Sequence, residues 1–281
     1  MAIYRYHLVN VFAETALSGN ALAVFEDAQG LDDATLLAIA RQLNLPEVSF
    51  LFEAEQAHAR IRIFTPAYEM PFAGHPTLGS AHVVARLRQL DGTRLNIETA
   101  AGVIPLWRSK HDVWTFQAKT PTYRACELSN EQLAAILGLA PADLGGTALF
   151  VNTGTEQLVV PLASRDAVLR CTPKAHVLDE FVPNREGRAQ VCVWHRDEVL
   201  VNLRFFYTDR GALAEDHGTG SACANLGGWL LANGAPRPIN LDVRQGHTIK
   251  RISHLKLEVN LQRQIFVGGR VVHLGTGNLS L

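Results

Sequence analysis

Between positions 215 and 226 the chain reads Glu215-Asp216-His217-Gly218-Thr219-Gly220-Ser221-Ala222-Cys223-Ala224-Asn225-Leu226. Two acids and a glycine-rich turn therefore stand directly before a segment of helical character. Just upstream, residues 202–208 have the aromatic and apolar content of a buried strand. We predict the order strand, loop, acidic turn and helix, and we take this turn as the centre of the functional site.

An earlier segment repeats the same order. Residues 60–66 have a strand pattern, followed by Glu69-Met70-Pro71-Phe72-Ala73-Gly74-His75-Pro76-Thr77 and by a helical pattern over residues 78–90. The interval from Phe64 to Gly74 is similar to the interval from Phe206 to Gly218. A unit that recurs about half a chain later indicates a duplication, so we expect two half-sites that face each other.

Each predicted turn is suited to an anion. A helix start that follows small residues presents backbone N–H groups at the positive end of the helix dipole. If the two turns converge, they can hold a carboxylate, with Asp216 and Glu215 on one side and His75 and Glu69 on the other. Proton donors and acceptors around a bound small acid indicate proton-transfer chemistry.

The overall composition restricts the class of protein. A chain of 281 residues with 47% hydrophobic and 19% charged residues suits two globular domains of about 130 residues each. The net charge of −1 provides neither a basic surface for nucleic acid nor a polybasic patch for a membrane. We therefore expect no nucleic acid and no membrane as partners.

The cysteines and the N-terminal residues indicate a cytoplasmic protein. The four cysteines are widely spaced and form no CxxC pair, and no run approaches the apolar length of a membrane span. The N-terminal residues alternate like a strand, without the pattern of a signal peptide. The histidines form no HExxH or paired spacing, so we predict no metal site.

The remaining pattern divides the chain into two similar halves. The first opens with a predicted hairpin of residues 4–12 and 21–25, and Asp32-Asp33 begins a helix. Residues 120–123 separate the predicted strands of the first half from a capping box at 129–132. We place the boundary there, giving domains 1–120 and 121–281, and the last strand could return to the first domain.

Several motifs together resemble the PhzF, or phenazine biosynthesis-like, isomerase family, whose fold is that of diaminopimelate epimerase. The motifs follow one another along almost the whole chain: Asn10-Val11-Phe12 with Gly19-Asn20, Leu45-Pro46-Glu47, Glu69 to Thr77, Glu215-Asp216 with Gly218 to Ser221, and Gln245-Gly246. The resemblance implies the α+β class, with two pseudo-symmetric domains. Each would be a barrel-like antiparallel sheet around a central helix, with the active site in the cleft between the domains. It also implies a homodimer and no cofactor.

The resemblance also assigns the site residues. In the phenazine enzyme a carboxylate moves a proton on a dihydro-hydroxyanthranilate, and the matching residue here is Glu47. His75 and Asp216 match further catalytic positions. The residues expected to bind substrate are Gly74, Gly220, Ser221, Asn20 and His217.

Besides Asn20-Ala21, where many members of the family have Asn-Pro, this sequence departs from the family pattern in two ways. Epimerases of this fold carry a catalytic cysteine in each glycine turn, and the corresponding positions here are Ala73 and His217. A mechanism with two thiols is therefore disfavoured. The family turn usually has proline after the aspartate, where this chain has His217, which would add an acid/base group.

Each assignment has a simpler structural alternative. Glu47 could be a solvated acid at a strand start, and His75 could only bond backbone at a helix start. Asp216 could stabilise a helix dipole, and Ser221 could be a helix cap. His217 could be a substrate contact or a neutral filler.

Other groups near the two turns are assigned supporting roles. Glu69 and Glu215 are expected to orient their loops through hydrogen bonds. Cys223 lies within the predicted helix, where a buried small side chain is more typical than a nucleophile.

Two functions remain open from the sequence. The first is a cofactor-independent isomerase that moves a proton on a small carboxylic acid, with Glu47 as acid/base. The second is a fold without catalysis that binds a small molecule or a protein. Hydrolase and nucleotide-binding motifs do not match, because the turns fit neither GxSxG nor GxGxxG.

Overall fold

The computed structural model describes residues 2–209 and 211–281. The chain forms two compact units. One contains the chain up to Gln117 together with Gly268–Leu281, and the other contains Ala118–Val267. The final segment of the chain thus belongs to the first unit.

The elements are as follows in chain order. The strands are β1 Ile3–Val11, β2 Asn20–Phe25, β3 Glu47–Phe52, β4 Ala59–Phe64, β5 Glu69–Met70, β6 Arg94–Thr99, β7 Gly102–Arg108, β8 Val113–Gln117, β9 Thr122–Ala125, β10 Leu149–Asn152, β11 Glu156–Pro161, β12 Gln190–Asp197, β13 Leu200–Asp209, β14 Ala212–Glu215, β15 Ile239–Gln245, β16 Ser253–Val259 and β17 Ile265–Ser280. The helices are α1 Asp33–Leu43, α2 Gly74–Leu87, α3 Asn130–Leu137, α4 Arg165–Arg170, α5 Ala175–Phe181 and α6 Gly220–Ala232, with a 3-10 turn at Pro141–Asp143.

Eight strands of the first unit close into a barrel. β17 pairs with β1, and the order then continues through β2, β3, β4, β6, β7 and β8, which pairs back with β17. Most neighbours are antiparallel, but β2 with β3 and β4 with β6 run parallel. The predicted antiparallel sheet therefore contains two parallel pairs, because a helical segment separates the paired strands in each case.

Helix α2 is the central helix of this barrel. It contacts β1, β2, β3, β4, β6 and β8, and most of its residues are buried. A Cβ atom at Gly79 would lie 2.5 Å from Cδ2 of Leu22 and 3.0 Å from Cγ2 of Val11, so only glycine permits this close approach of helix and strands. Helix α1 covers the outer face, where Phe25, Phe50 and other apolar residues form a second core.

The second unit repeats this pairing pattern. β10 and β11 are antiparallel, β11 and β12 parallel, and β12 and β13 antiparallel. β13 then runs parallel to β15, and β15 antiparallel to β16. Helix α6 contacts β10, β11 and β16 and is almost wholly buried. The same order of pairings in both units agrees with the duplication predicted from the sequence.

The predicted fold class is confirmed, with specific differences in the elements. The hairpin of β1 and β2, the helix that Asp32 caps and the capping box at Ser129 are all present. Helix α2 starts at Gly74, four residues before the predicted start, because the turn residues themselves adopt helical geometry. Helices α4 and α5 were not predicted, and β9 occupies part of the segment assigned as a linker.

Candidate active site

Three predicted site residues meet in the first unit. Glu47 is the first residue of β3, His75 the second of α2 and Asn20 the first of β2. Nε2 of His75 lies 3.4 Å from Oε2 of Glu47, and Nδ1 of His75 lies 3.4 Å from Nδ2 of Asn20. The parallel pairing of β2 with β3 aligns Leu22 with Glu47, which brings these strand starts to one end of the barrel.

The hydrogen bond with Asn20 determines which ring nitrogen of His75 carries the proton. An amide nitrogen can only donate, so Nδ1 of His75 accepts from Asn20 and the ring proton lies on Nε2, which faces Glu47. The side chain of His75 is 5% exposed, whereas that of Glu47 is 18% exposed. Glu47 is thus a carboxylate with partial access to solvent and a fixed imidazole N–H beside it.

The two central helices begin without a side-chain cap. Asp32, Ser129 and Ser164 cap α1, α3 and α4 through side-chain oxygens, whereas the N-cap residues of α2 and α6, Ala73 and Thr219, do not. Neither α2 nor α6 has an acid in its first turn. Gly74 and Gly220, the first residues of these helices, are both buried. Such helix starts have the polarity that suits an anion.

The acidic turn of the second unit is closed by its own aspartate. Oδ1 of Asp216 accepts from the backbone N–H of His217 at 2.8 Å, and Oδ2 accepts from the hydroxyl of Thr219 at 2.5 Å. Gln245 donates to the backbone carbonyl of Asp216 and to Oγ1 of Thr219, both at 2.9 Å. The carboxylate thus holds the turn in the conformation that begins α6.

Gly246 completes the packing around this turn. Its φ is 84°, and a Cβ atom there would lie 2.1 Å from the carbonyl oxygen of Arg251 and 2.9 Å from that of His217. Any side chain would therefore displace the backbone of the turn. The Gln245-Gly246 pair supports the turn from the end of β15.

Ser221 lies at the end of a buried hydrogen-bond network. Nε2 of Gln157 donates to Oγ of Ser221 at 2.9 Å, and Nδ2 of Asn225 donates to Oε1 of Gln157 at 3.0 Å. Gln157 is 1% exposed and Asn225 is 0% exposed. Neither amide was predicted as a site residue, although their positions, at the start of a predicted strand and in the helix after the glycine turn, could have indicated them.

His217 is half-buried beside Asp216. Burial lowers the pKa of His217 below its usual 6.5, and Arg251 lowers the pKa further, while Asp216 acts in the opposite direction. The imidazole is therefore predominantly neutral at pH 7. It can donate or accept one hydrogen bond there, but it does not add a fixed positive charge.

The structure changes the match between the two turns. The strand pairing Phe64 with Glu69 corresponds to the pairing Phe206 with Glu215, and α2 and α6 each begin five residues after the glutamate. Ala73 is therefore equivalent to Thr219, not to His217. The interval from Phe206 to Glu215 is longer than the interval from Phe64 to Glu69, and the additional residues belong to the hairpin of β13 and β14.

An arginine holds each of the two glutamates. Arg62 donates to both carboxylate oxygens of Glu69 at 2.7 and 2.6 Å, and Arg204 donates to both oxygens of Glu215 at 3.0 and 2.8 Å. Each arginine stands two residues before a phenylalanine whose ring it covers. Both glutamates were expected to orient their loops, but their arginine partners were not predicted, although the repeated Arg-x-Phe pattern could have indicated them.

Other groups do not contribute reactive chemistry. Burial raises the pKa of the Cys223 thiol far above its usual value, so it is not a thiolate at neutral pH. Among the described residues no cluster of histidine, cysteine and acidic side chains could hold a metal ion. In the same residues, every helix is too short or too polar to cross a bilayer.

The predicted site residues thus form two groups, one in each unit. Asn20, Glu47, Gly74 and His75 belong to the first unit. Asp216, His217, Gly220 and Ser221 belong to the second. Each group surrounds the start of its central helix.

Comparison with known proteins identifies the family of the chain. The family model for phenazine biosynthesis-like proteins, PhzC-PhzF, matches residues 9–277. An uncharacterised isomerase of Pasteurella multocida is 39% identical over 278 residues, which is 98% of this chain and 94% of the relative. A trans-2,3-dihydro-3-hydroxyanthranilate isomerase of Pseudomonas fluorescens is 31% identical over 291 residues, covering 99% of this chain and 100% of the relative.

Solved structures show the same architecture. A PhzF-family phenazine biosynthesis protein of Bacillus anthracis matches with a TM-score of 0.89 and 25% identity, and the match covers 100% of both chains. A hydroxyproline epimerase of Agrobacterium vitis matches with a TM-score of 0.64 and 14% identity, over 99% of this chain and 93% of that structure, which extends the likeness in fold alone. The protein is an isomerase with an epimerase-like fold. The chain belongs to the phenazine biosynthesis-like, or PhzC-PhzF, family.

Proposed function

We propose that the protein is a cofactor-independent isomerase that moves a proton on a small carboxylic acid, with Glu47 as the acid/base. The observation that carries this proposal is the pair of Glu47 and His75, whose carboxylate oxygen and ring nitrogen are 3.4 Å apart at the start of α2. A partly buried carboxylate beside a fixed N–H donor can remove a proton from carbon and return it. The Asn20 amide behind His75 keeps the imidazole in the tautomer that faces Glu47.

The helix starts suggest how the substrate is held. Gly74 and Gly220 begin helices that no side chain caps, so their backbone N–H groups suit the carboxylate of a substrate. Asp216 fixes the turn that presents Gly220 and Ser221, and His217 contributes a neutral imidazole to the same turn. Orientation of the acid and charge stabilisation by the helix starts would supply the rate enhancement.

The substrate class follows from chemistry and from the relatives. One relative that is 31% identical over nearly the whole chain is named trans-2,3-dihydro-3-hydroxyanthranilate isomerase. We therefore propose a small unsaturated or hydroxylated carboxylic acid as substrate. Cys171, Cys192 and Cys223 are buried and neither turn contains a cysteine, which leaves carboxylate and imidazole groups as the proton carriers.

The first experiment is proton exchange in D2O. The protein is incubated with trans-2,3-dihydro-3-hydroxyanthranilate and other small acids, and deuterium incorporation at carbon is followed by NMR. We expect exchange in the wild type and a loss of at least about 100-fold in Glu47→Gln, because the amide preserves shape but cannot accept the proton. Glu53→Gln is the matched control, since Glu53 is an exposed acid just after β3, and it should retain wild-type exchange.

Two results would contradict the proposal. Exchange that persists in Glu47→Gln would remove Glu47 as the acid/base. Binding of the acids without exchange in the wild type would favour the small-molecule binding module over the isomerase for those acids.

We also propose a cytoplasmic location, supported by four cysteines that are all free thiols. The homodimer expected from the family resemblance stays a prediction. Light scattering on the purified protein measures its mass directly against the 30.8 kDa of one chain.

A further inference from the structure

The hydrogen bonds of Asn225 fix the orientation of its amide. Oδ1 of Asn225 accepts from the backbone N–H of Thr153 at 2.9 Å and from its hydroxyl at 2.7 Å. Nδ2 donates to the backbone carbonyl of Thr155 at 2.9 Å. A backbone N–H can only donate and a carbonyl can only accept, so rotating this amide by 180° would break both contacts.

The orientation of Asn225 determines that of Gln157. The second hydrogen of Asn225 Nδ2 reaches Oε1 of Gln157 at 3.0 Å, so this oxygen must face Asn225. Nε2 of Gln157 then faces Ser221 and donates to Oγ at 2.9 Å. Both amides are buried, and a reversed Gln157 would place two donors against each other, which is costly without water.

The consequence concerns the hydroxyl hydrogen of Ser221. Because Oγ already accepts from Gln157, the O–H bond must point away from Gln157. Ser221 is the second residue of α6, and its side chain is only partly buried. We propose that Gln157, held by Asn225, is a positioning residue that makes Ser221 a hydrogen-bond donor to a carboxylate oxygen of the substrate.

The first unit contains an equivalent hydrogen bond from an amide to the second residue of its central helix, which supports the inference. Asn20 at the start of β2 donates to Nδ1 of His75, the second residue of α2, just as Gln157 near the start of β11 donates to Ser221. In both units a buried amide donates a hydrogen bond to the second residue of the central helix. The polar hydrogen of that second residue, on His75 or Ser221, then points away from the amide.

This inference rests on the proposed function for the identity of the ligand, but the polarity can be tested without it. Neutron diffraction from D2O-exchanged crystals soaked with anthranilate locates the deuterons directly. We expect deuterons on Gln157 Nε2 facing Ser221, and the Ser221 deuteron facing the bound carboxylate. A Ser221 deuteron that lies toward Gln157, or toward a backbone carbonyl, would overturn the proposal.

Binding measurements test the consequence with an inverted variant. Gln157→Glu preserves the shape but offers only acceptors, so the Ser221 O–H should turn toward residue 157 and away from the ligand. We expect the Kd for anthranilate, measured by calorimetry, to rise about 10- to 100-fold, as for a lost hydrogen bond to a charged group. Gln157→Met, which removes the donor without adding an acceptor, should raise the Kd by less.

A double-mutant cycle separates polarity from simple charge repulsion or damage to the fold. In the Ser221→Ala background, Gln157→Glu should raise the Kd no more than about threefold, since the hydroxyl it redirects is gone. Equal effects in both backgrounds, or equal effects of Gln157→Met and Gln157→Glu, would overturn the positioning role. Urea unfolding of each variant verifies that folded proteins are compared, and the neutron map remains decisive if Gln157→Glu does not fold.

Failure of the proposed function gives a different pattern. In that case anthranilate binding retains the coupling of Gln157 and Ser221, but deuterium exchange is absent or unaffected by Glu47→Gln. Failure of the present inference leaves exchange dependent on Glu47 while the coupling is absent.

Discussion

The starts of α2 and α6 have the same backbone arrangement but carry different side chains. Each follows a glutamate held by an arginine of the preceding strand, and each has an amide behind its second residue. In the first unit that residue is His75, which faces a carboxylate, and in the second it is Ser221, whose partner network consists of neutral amides. The duplicated backbone is thus kept, while the second helix residue faces a carboxylate at the start of α2 and neutral amides at the start of α6.

The same contrast extends into the helices. The sixth residue of α2 is Gly79, whose missing side chain allows Leu22 and Val11 to approach. The sixth residue of α6 is Asn225, which uses that position to bind the loop before β11. An aliphatic contact in one unit is replaced by a polar network in the other. The two units thus share the same helix start, whereas the residues packed behind it are aliphatic in the first unit and polar in the second.

The arginines should give the largest difference between the two units. Arg204 is 6% exposed, and besides Glu215 it donates to the backbone carbonyls of Val168, Leu169 and Cys171 at the end of α4. Arg204→Leu removes the cation beside the Glu215 carboxylate, whose side chain is 10% exposed and retains the Thr248 hydroxyl as a donor, so we expect a loss of about 3–5 kcal/mol in the free energy of unfolding. Urea denaturation measures this loss.

Arg62 provides the matched control for that experiment. Its side chain is 23% exposed, and its partners Glu69 and Asp33 are 35% and 83% exposed. Arg62→Leu should therefore cost no more than about 1 kcal/mol. Similar losses at Arg62 and Arg204 would show that burial does not distinguish the two ion pairs.

The sixth helix position should give the next largest effect. Asn225→Ala leaves the backbone N–H of Thr153, the carbonyl of Thr155 and Oε1 of Gln157 without this partner, at a position where the Asn225 side chain is fully buried. We expect a loss of about 2–3 kcal/mol by urea denaturation, since buried unsatisfied polar groups carry most of their desolvation cost. A loss below about 1 kcal/mol would mean that water replaces the amide.

These contrasts show what the sequence could and could not predict. The glycine turns, the acids and the helices after them follow from local residue patterns, and the structure contains them. The partners that give each turn its polarity come from distant segments: Arg204 reaches α4, and Asn225 binds residues about 70 positions earlier. A local pattern carries no information on such pairings, because they depend on strand register and on which face of each strand points inward.

The start of α2 illustrates the same limit on a smaller scale. The sequence pattern predicted a helix start at Leu78, but the helix begins at Gly74 and includes Pro76. Proline is tolerated in a first turn because the N–H it lacks has no partner within the helix. The correct start places His75 in the helix beside Glu47, so a shift of four residues decides the geometry of the candidate site.

Packing around Gly79 should give a smaller effect than the Asn225 network. A methyl group at Gly79 would meet Cδ2 of Leu22 at 2.5 Å and Cγ2 of Val11 at 3.0 Å, both at the ends of side chains. We expect Gly79→Ala to lower the free energy of unfolding by about 1–2 kcal/mol, because the strain of overpacking exceeds the gain in helix propensity. Thermal unfolding of Gly79→Ala beside Asn225→Ala tests this order. A stabilised Gly79→Ala protein would show that the barrel expands to accept the methyl group.

The smallest expected effect is a pH dependence of the free energy of unfolding that arises in α2 and has no counterpart in α6. His82 is the ninth residue of α2, and the ninth residue of α6 is Gly228, which cannot titrate. Burial lowers the pKa of His82 below 6.5, while Asp112 opposes the shift, and His273, Arg86 and Arg108 add to it. Since the unfolded chain then binds this proton more readily than the folded protein, stability falls as pH drops through 6.5 and the loss is complete below the folded pKa.

Replacing His82 with glutamine should make the free energy of unfolding depend less on pH. We expect the difference in the free energy of unfolding between pH 7.5 and pH 5 to shrink by less than about 1 kcal/mol in His82→Gln, since one pKa unit corresponds to about 1.4 kcal/mol. Other histidines whose pKa burial lowers, His217, His247 and His273, retain their share of the slope in this variant. A steeper curve for His82→Gln would require the opposite sign of the shift. The imidazole would then be stabilised as a cation by Asp112.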